Sequence, residues 1–254
     1  MKKSTTGLVA LVVFVAAGTA HGSWSFTASG PGAKPGVTLQ ASATFAVSNL
    51  YLIVTLSNEG TYDSKIPADI LTTVLFKING GNPLLTPVSA ELGSGSSVIA
   101  SPLPMGFDGN VGGEWAYRNT FTNAPEEAIS STKLKWFGVK DLFPGPNLQG
   151  SKPPGNVNFG LTTINDNYLN DSGGLKKQGL IVDTVVFTFK LPNAFTVTDI
   201  SAVTFQYGTN LKQPDLFKDT ADNISEIPEP STISLVAAGL LGVLTLARRK
   251  MLRR

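Results

Sequence analysis

Between residues 37 and 57 apolar and polar side chains alternate almost without a break. Val37, Leu39, Ala41, Ala43, Phe45 and Val47 share one parity, with Thr38, Gln40, Ser42 and Thr44 between them. Neighbouring side chains of a strand point to opposite faces, so a period of two predicts a half-buried β-strand; a helix would repeat every three or four residues. Ser48-Asn49 then supplies a tight turn into Leu50, Leu52, Val54 and Leu56, and the stretch reads as a hairpin. Such a hairpin must cover its apolar face with a second layer.

The same period continues along the chain. Ile70, Val74, Phe76 and Ile78 share a parity within 69–79, and a turn cluster follows at 79–83. A weaker strand region over 88–100 is interrupted by Gly93 and Gly95, and Trp115, Tyr117 and Phe121 mark another short strand. Residues 134–142 read as a strand, and the Pro- and Gly-rich 144–156 as a loop without periodicity. In 180–191, Ile181, Val185, Phe187, Phe189 and Leu191 face one way while Thr184, Thr188 and Lys190 face the other. Residues 195–207 close the domain, and 212–226 read as a polar linker. Segments 69–73 and 124–132 are candidates for a helical turn or two. Seven to nine strands and almost no helical period predict an all-β, antiparallel β-sandwich, jelly-roll-like, with no internal repeat.

Composition removes whole classes of chemistry. There is no cysteine, so disulfides, thiol nucleophiles and thiolate metal sites are excluded. The single histidine, His21, lies ahead of the folded part, which leaves no imidazole for a Ser-His-Asp triad or a histidine metal centre. Residues 23–226 carry 13 Lys and Arg against 17 Asp and Glu, a net of −4, because seven of the 20 basic residues lie at the two ends. A mildly acidic domain gives no electrostatic basis for holding nucleic acid.

Those ends have their own logic. Lys2 and Lys3 precede a 12-residue apolar run over 7–18, with small residues at Ala20 and Gly22, as in a secretory signal peptide over 1–22. At the other end, Pro228-Glu229-Pro230 is followed by a 17-residue uncharged run over 231–247 and then Arg248, Arg249 and Lys250. About 17–25 apolar residues cross a bilayer as a helix, and the basic flank stays on the cytoplasmic side. The expected organisation is therefore a signal peptide (1–22), a β-sandwich ectodomain (23–218), a linker (219–230) and a transmembrane helix with a basic tail (231–254).

Proline spacer, short span and basic tail together resemble the PEP-CTERM sorting signal of bacterial surface proteins. The resemblance covers about a tenth of the chain and rests on Pro228, Glu229 and Pro230, the span, and Arg248, Arg249 and Lys250. It implies handling by exosortase, a membrane-embedded cysteine peptidase, as a partner. It also implies anchoring in the inner membrane with a periplasmic ectodomain, then the cell surface or secretion after processing. Four blocks of the ectodomain, at 66–72, 85–90, 112–118 and 203–209, are similar to one group of exosortase-dependent surface proteins. That similarity brings no catalytic residues.

Candidate ligand chemistry is sparse. Glu114 beside Trp115 and Tyr117 is the best seed for a sugar site, because aromatic rings stack on sugars and a glycosidase needs only two carboxylates roughly 5–9 Å apart. On a strand, however, Trp115 and Tyr117 share a face that suits the core, leaving Glu114 to pair with Arg118 at the surface. Glu126 and Glu127 point apart and read as solvated. The oxygen-rich run Asn165, Asp166, Asn167, Asn170, Asp171 and Ser172 is a candidate calcium loop through Asp166 and Asp171, although its spacing is not that of an EF-hand and turn chemistry explains it as well. The expectation is a non-enzymatic exported protein, structural or adhesive in the extracellular matrix, with exopolysaccharide a possible partner. The alternatives are a carbohydrate-binding module using Trp115, Tyr117 or Trp136, and a secreted glycoside hydrolase.

Overall fold

The alternating stretch becomes the middle of a three-stranded meander. The computed structural model describes residues 22–225 apart from 80, 82, 121–125, 151–152, 172–173, 177, 193–198, 211–214 and 219–222. Strands β1 (Ser23–Pro31), β2 (Thr38–Ser48) and β3 (Tyr51–Asn58) pair antiparallel in succession. Leu39, Ala41, Ala43, Phe45 and Val47 all point inward and are buried. Ser48 stands opposite Tyr51, so the turn is Asn49-Leu50, one residue later than the sequence suggests. Asn49 takes φ 55°, a left-handed conformation that asparagine tolerates, and Leu50 is left exposed.

On the far side of β3 the first sheet continues through β11 (Thr184–Lys190) to the edge strand β5 (Thr86–Leu92), and β14 (Asn223–Ser225) adds to β1. Pro87 is compatible with β5 because it sits at a bulge in the pairing with β11, and the bridge to Asn110 on the other side is made at Glu91, away from the missing amide. The second sheet runs β13 (Asp215–Lys218), β12 (Ile200–Tyr207), β4 (Leu71–Ile78), β9 (Leu161–Thr162), β10 (Leu180–Val182), β6 (Ser97–Ile99). Strand β8 (Glu127–Ser130) pairs with β4, and β7 (Ala116–Arg118) with β8. All pairings are antiparallel except β9 with β10.

Aromatic side chains join the two sheets. Phe45 of the first meets Phe76 of the second with ring centroids 5.0 Å apart, and Trp115 and Tyr117 meet Phe187 and Phe189 at 5.0 and 4.9 Å. Each such buried side chain contributes about 1.5–3 kcal/mol through surface removed from water. Strand β4 is buried on both faces: Val74 and Phe76 enter this core, while Leu75 lies outside it under Ala116, Ala128, Leu134 and Phe137.

Several sequence expectations change. The jelly-roll connectivity does not form, since β1–β2–β3 stay consecutive in one sheet and a jelly roll has no such meander. Residues 180–191 make two strands, because Asp183 at φ 75° breaks the run and passes the chain from the second sheet to the first. Its amide donates to Thr162 in one sheet while its carbonyl accepts from Asn58 of the other. Within 124–132 the structure has a strand, β8, and 134–142 is turns, where Leu134 and Lys135 take positive φ so that Leu134 and Phe137 reach the same outer cluster. The polar 212–226 stretch contributes two strands, β13 and β14.

Candidate functional site

The residues around the predicted sugar site are held by a glycine turn. Gly112-Gly113-Glu114 forms a 3-10 turn that lies against the proline-rich loop: a Cβ on Gly112 would strike the Pro144 carbonyl, and one on Gly113 the Pro146 carbonyl. Gly113→Ala should therefore cost about 1–3 kcal/mol and loosen the 144–150 loop. Thermal unfolding and limited proteolysis of that loop check it, and an unchanged melting temperature would contradict the close approach.

From this turn Glu114 points into the protein and is fully buried. Its Oε1 accepts from the Leu148 and Gln149 amides and its Oε2 from the Gln149 side chain, whose own oxygen accepts from Asn158. Burial raises the Glu114 carboxyl above its ordinary range, and these donors offset part of the rise. The surface pair with Arg118 does not form; Arg118 Nη1 instead donates to the Trp136 carbonyl at 2.6 Å. Glu114 is thus a strut for the loop, with its oxygens turned to main-chain and amide donors.

Trp115 and Tyr117 go into the core, Trp115 with no exposed surface and Tyr117 with 5%, so neither offers a face to a sugar. Trp136 is half-buried against the outer cluster. Tyr117 reaches a residue the sequence misplaces: its hydroxyl donates to Glu127 Oε2 and accepts from the Leu85 amide. Glu127 is fully buried, not solvated, and burial lifts its carboxyl to about 7, with the Tyr117 hydrogen bond acting the other way. The signal was present, since Glu127 has the parity of Ile129, which faces the core. Glu126 points away and lies 4.0 Å from Lys77.

The oxygen-rich loop is strapped to residues 61–66. Asp63 accepts from the Asn167 amide and the Asn170 side chain, each at 2.9 Å, and Asp166 from the Ser64 amide at 3.0 Å. Burial, with the charges of Asp171 and Asp63 nearby, raises Asp166 to about 6. Burial and Asp63 raise Asp171 as well, whereas hydrogen bonds from Asn167 and Asn170 overcome burial and hold Asp63 below its ordinary value. Asp166 and Asp171 are electrostatic neighbours, yet among the described residues no group of three or more His, Cys, Asp or Glu is arranged to hold a metal ion.

The two ends of the domain lie side by side, for Ser23 of β1 stands opposite Ser225 of β14. The signal-peptide stretch 1–21, the triplet Pro228, Glu229 and Pro230, the span and the flank Arg248, Arg249 and Lys250 lie outside the described residues. Among the described residues no helix is long and apolar enough to cross a membrane. No curated protein and no solved structure matches the chain. Residues 226–250 match the PEP-CTERM protein-sorting motif. The chain thereby carries a PEP-CTERM sorting signal at its C-terminal end, and such a signal implies export, anchoring in the membrane and processing by an exosortase-type enzyme.

Proposed function

We propose that the protein is a non-enzymatic structural or adhesive component of the extracellular matrix or envelope of a Gram-negative bacterium, delivered there by its C-terminal signal. The sorting motif over 226–250 carries this reading. The use of the domain's chemistry supports it: Glu114 braces a loop, Glu127 is sealed beneath Tyr117, and the large rings join two sheets. These are the occupations of residues that build a rigid module.

Fractionation of cells and matrix, with and without the gene, tests it. The protein should copurify with the matrix, and its deletion should weaken surface attachment or matrix cohesion. Recovery of the protein only from the soluble medium, with attachment and matrix unaltered by deletion, contradicts the role.

A further inference from the structure

Where β5 begins, β7 ends and the 139–144 segment passes between them, the surface opens into a cleft. Its volume, about 460 Å³, lies within the roughly 300–1,000 Å³ of small-ligand sites. Arg118 and Lys140 line it together with Asn119, and Leu84, Pro87 and Leu142 supply apolar walls. The alternation along β7 sends Tyr117 to the core and leaves Arg118 half-buried at the cleft.

The charge there is net positive, two cations against the one carboxylate of Asp141. A guanidinium has five N–H donors. Arg118 donates one hydrogen bond, from Nη1 to the Trp136 carbonyl, and among the described residues it has no carboxylate partner. Asp141 also lines the cleft, but its Oδ2 is turned back to accept from the Gly138 amide at 2.9 Å. Lys140, on the same 3-10 turn, is exposed. A guanidinium without a carboxylate partner and an ammonium lining the same cleft can receive a planar anion, and the mixed walls suit a ring that is apolar on one face and hydroxylated at its edge.

We propose that this cleft binds a sugar acid, with the ligand carboxylate on Arg118 and Lys140 and the ring between Leu84, Pro87 and Leu142. The inference concerns the domain alone and holds whichever way the chain reaches the surface.

Titration calorimetry on the purified full chain in detergent, with glucuronate, galacturonate, a neutral methyl glucoside and inorganic phosphate, tests it. The two uronates should bind and the glucoside and phosphate should not. Arg118→Gln should weaken uronate binding about tenfold or more through loss of the charge-assisted fork. Lys140→Ala, at an exposed position that leaves folding intact, should weaken it about threefold and flatten its salt dependence. Absence of uronate binding overturns the proposal, and so does phosphate binding of equal strength. Uronate binding that both variants retain unchanged would place the ligand elsewhere and equally overturn it.

Discussion

Trp115→Ala should destabilise the domain by about 3–5 kcal/mol, a large part of the roughly 5–15 kcal/mol that holds a folded domain together. Trp115 is among the largest fully buried side chains, and it sits edge-on to Phe187, bridging from the turn before β7 to the opposite sheet. Its removal opens a cavity that the two sheets, tied by main-chain ladders on either side, cannot collapse to fill. The indole Nε1 is buried without a hydrogen-bond partner among the described residues, so Trp115→Phe removes an unsatisfied donor along with part of the ring and should cost less than the alanine change. Urea unfolding of both variants measures this. A stable Trp115→Ala protein that had lost affinity for glycans would instead mean an exposed stacking ring.

The second large effect is on pH. Glu127 has a folded-state value of about 7 against an ordinary 4.5, so the folded protein binds a proton that the unfolded chain releases. Stability therefore falls as pH rises from 4.5 to 7 and is lower, by about 3 kcal/mol from this group, above that window. Asp166, raised to about 6, and Glu114, also raised, act in the same direction. Asp63, which is lowered, acts in the opposite one. Glutamine mimics the protonated carboxyl and can still accept from Tyr117. Glu127→Gln should match the parent protein near pH 4.5 and exceed its stability by about 2–3 kcal/mol at pH 8. Melting temperatures measured from pH 4 to 8 check this, and parallel profiles for the two proteins would refute it.

The strands legible in the sequence were those with one wet face. The hairpin of β2 and β3 and the inward set Val185, Phe187 and Phe189 could be read by parity because water on the far side kept most of the alternate residues polar, Ala46, Ile53 and Val186 excepted. Strand β4 is buried on both sides, so parity alone gave its inner face and was silent on Leu75 and the cover over it. The same cover misled the reading of 134–142, where Leu134 and Phe137 are apolar because turns bring them to one cluster. The break at Asp183 did leave a trace, since a charged residue stands in the inward row between Ile181 and Val185, at the point where the backbone crosses between sheets.

At the candidate site the core destination of Trp115 and Tyr117 followed from their shared parity. The burial of Glu114 did not, because the proline-rich loop that folds back onto it is remote in sequence; Glu127 had the inward parity of Ile129, but its charge concealed this until the Tyr117 hydroxyl met it across the ladder. The Arg118 cleft was invisible for the same reason as the burial of Glu114. It exists only once residues 84–87, 118–119 and 140–144 are brought together.

The delivery of this domain is tested most directly by the intact mass and location of the mature protein in cells with and without an exosortase. With the enzyme, the protein should lack residues 1–22 and the tail beyond the Pro228-Glu229-Pro230 region, and be found outside the inner membrane. Without it, the protein should stay in the inner membrane with its tail complete. The same full-length tail in the membrane of both cells would contradict sorting through this signal.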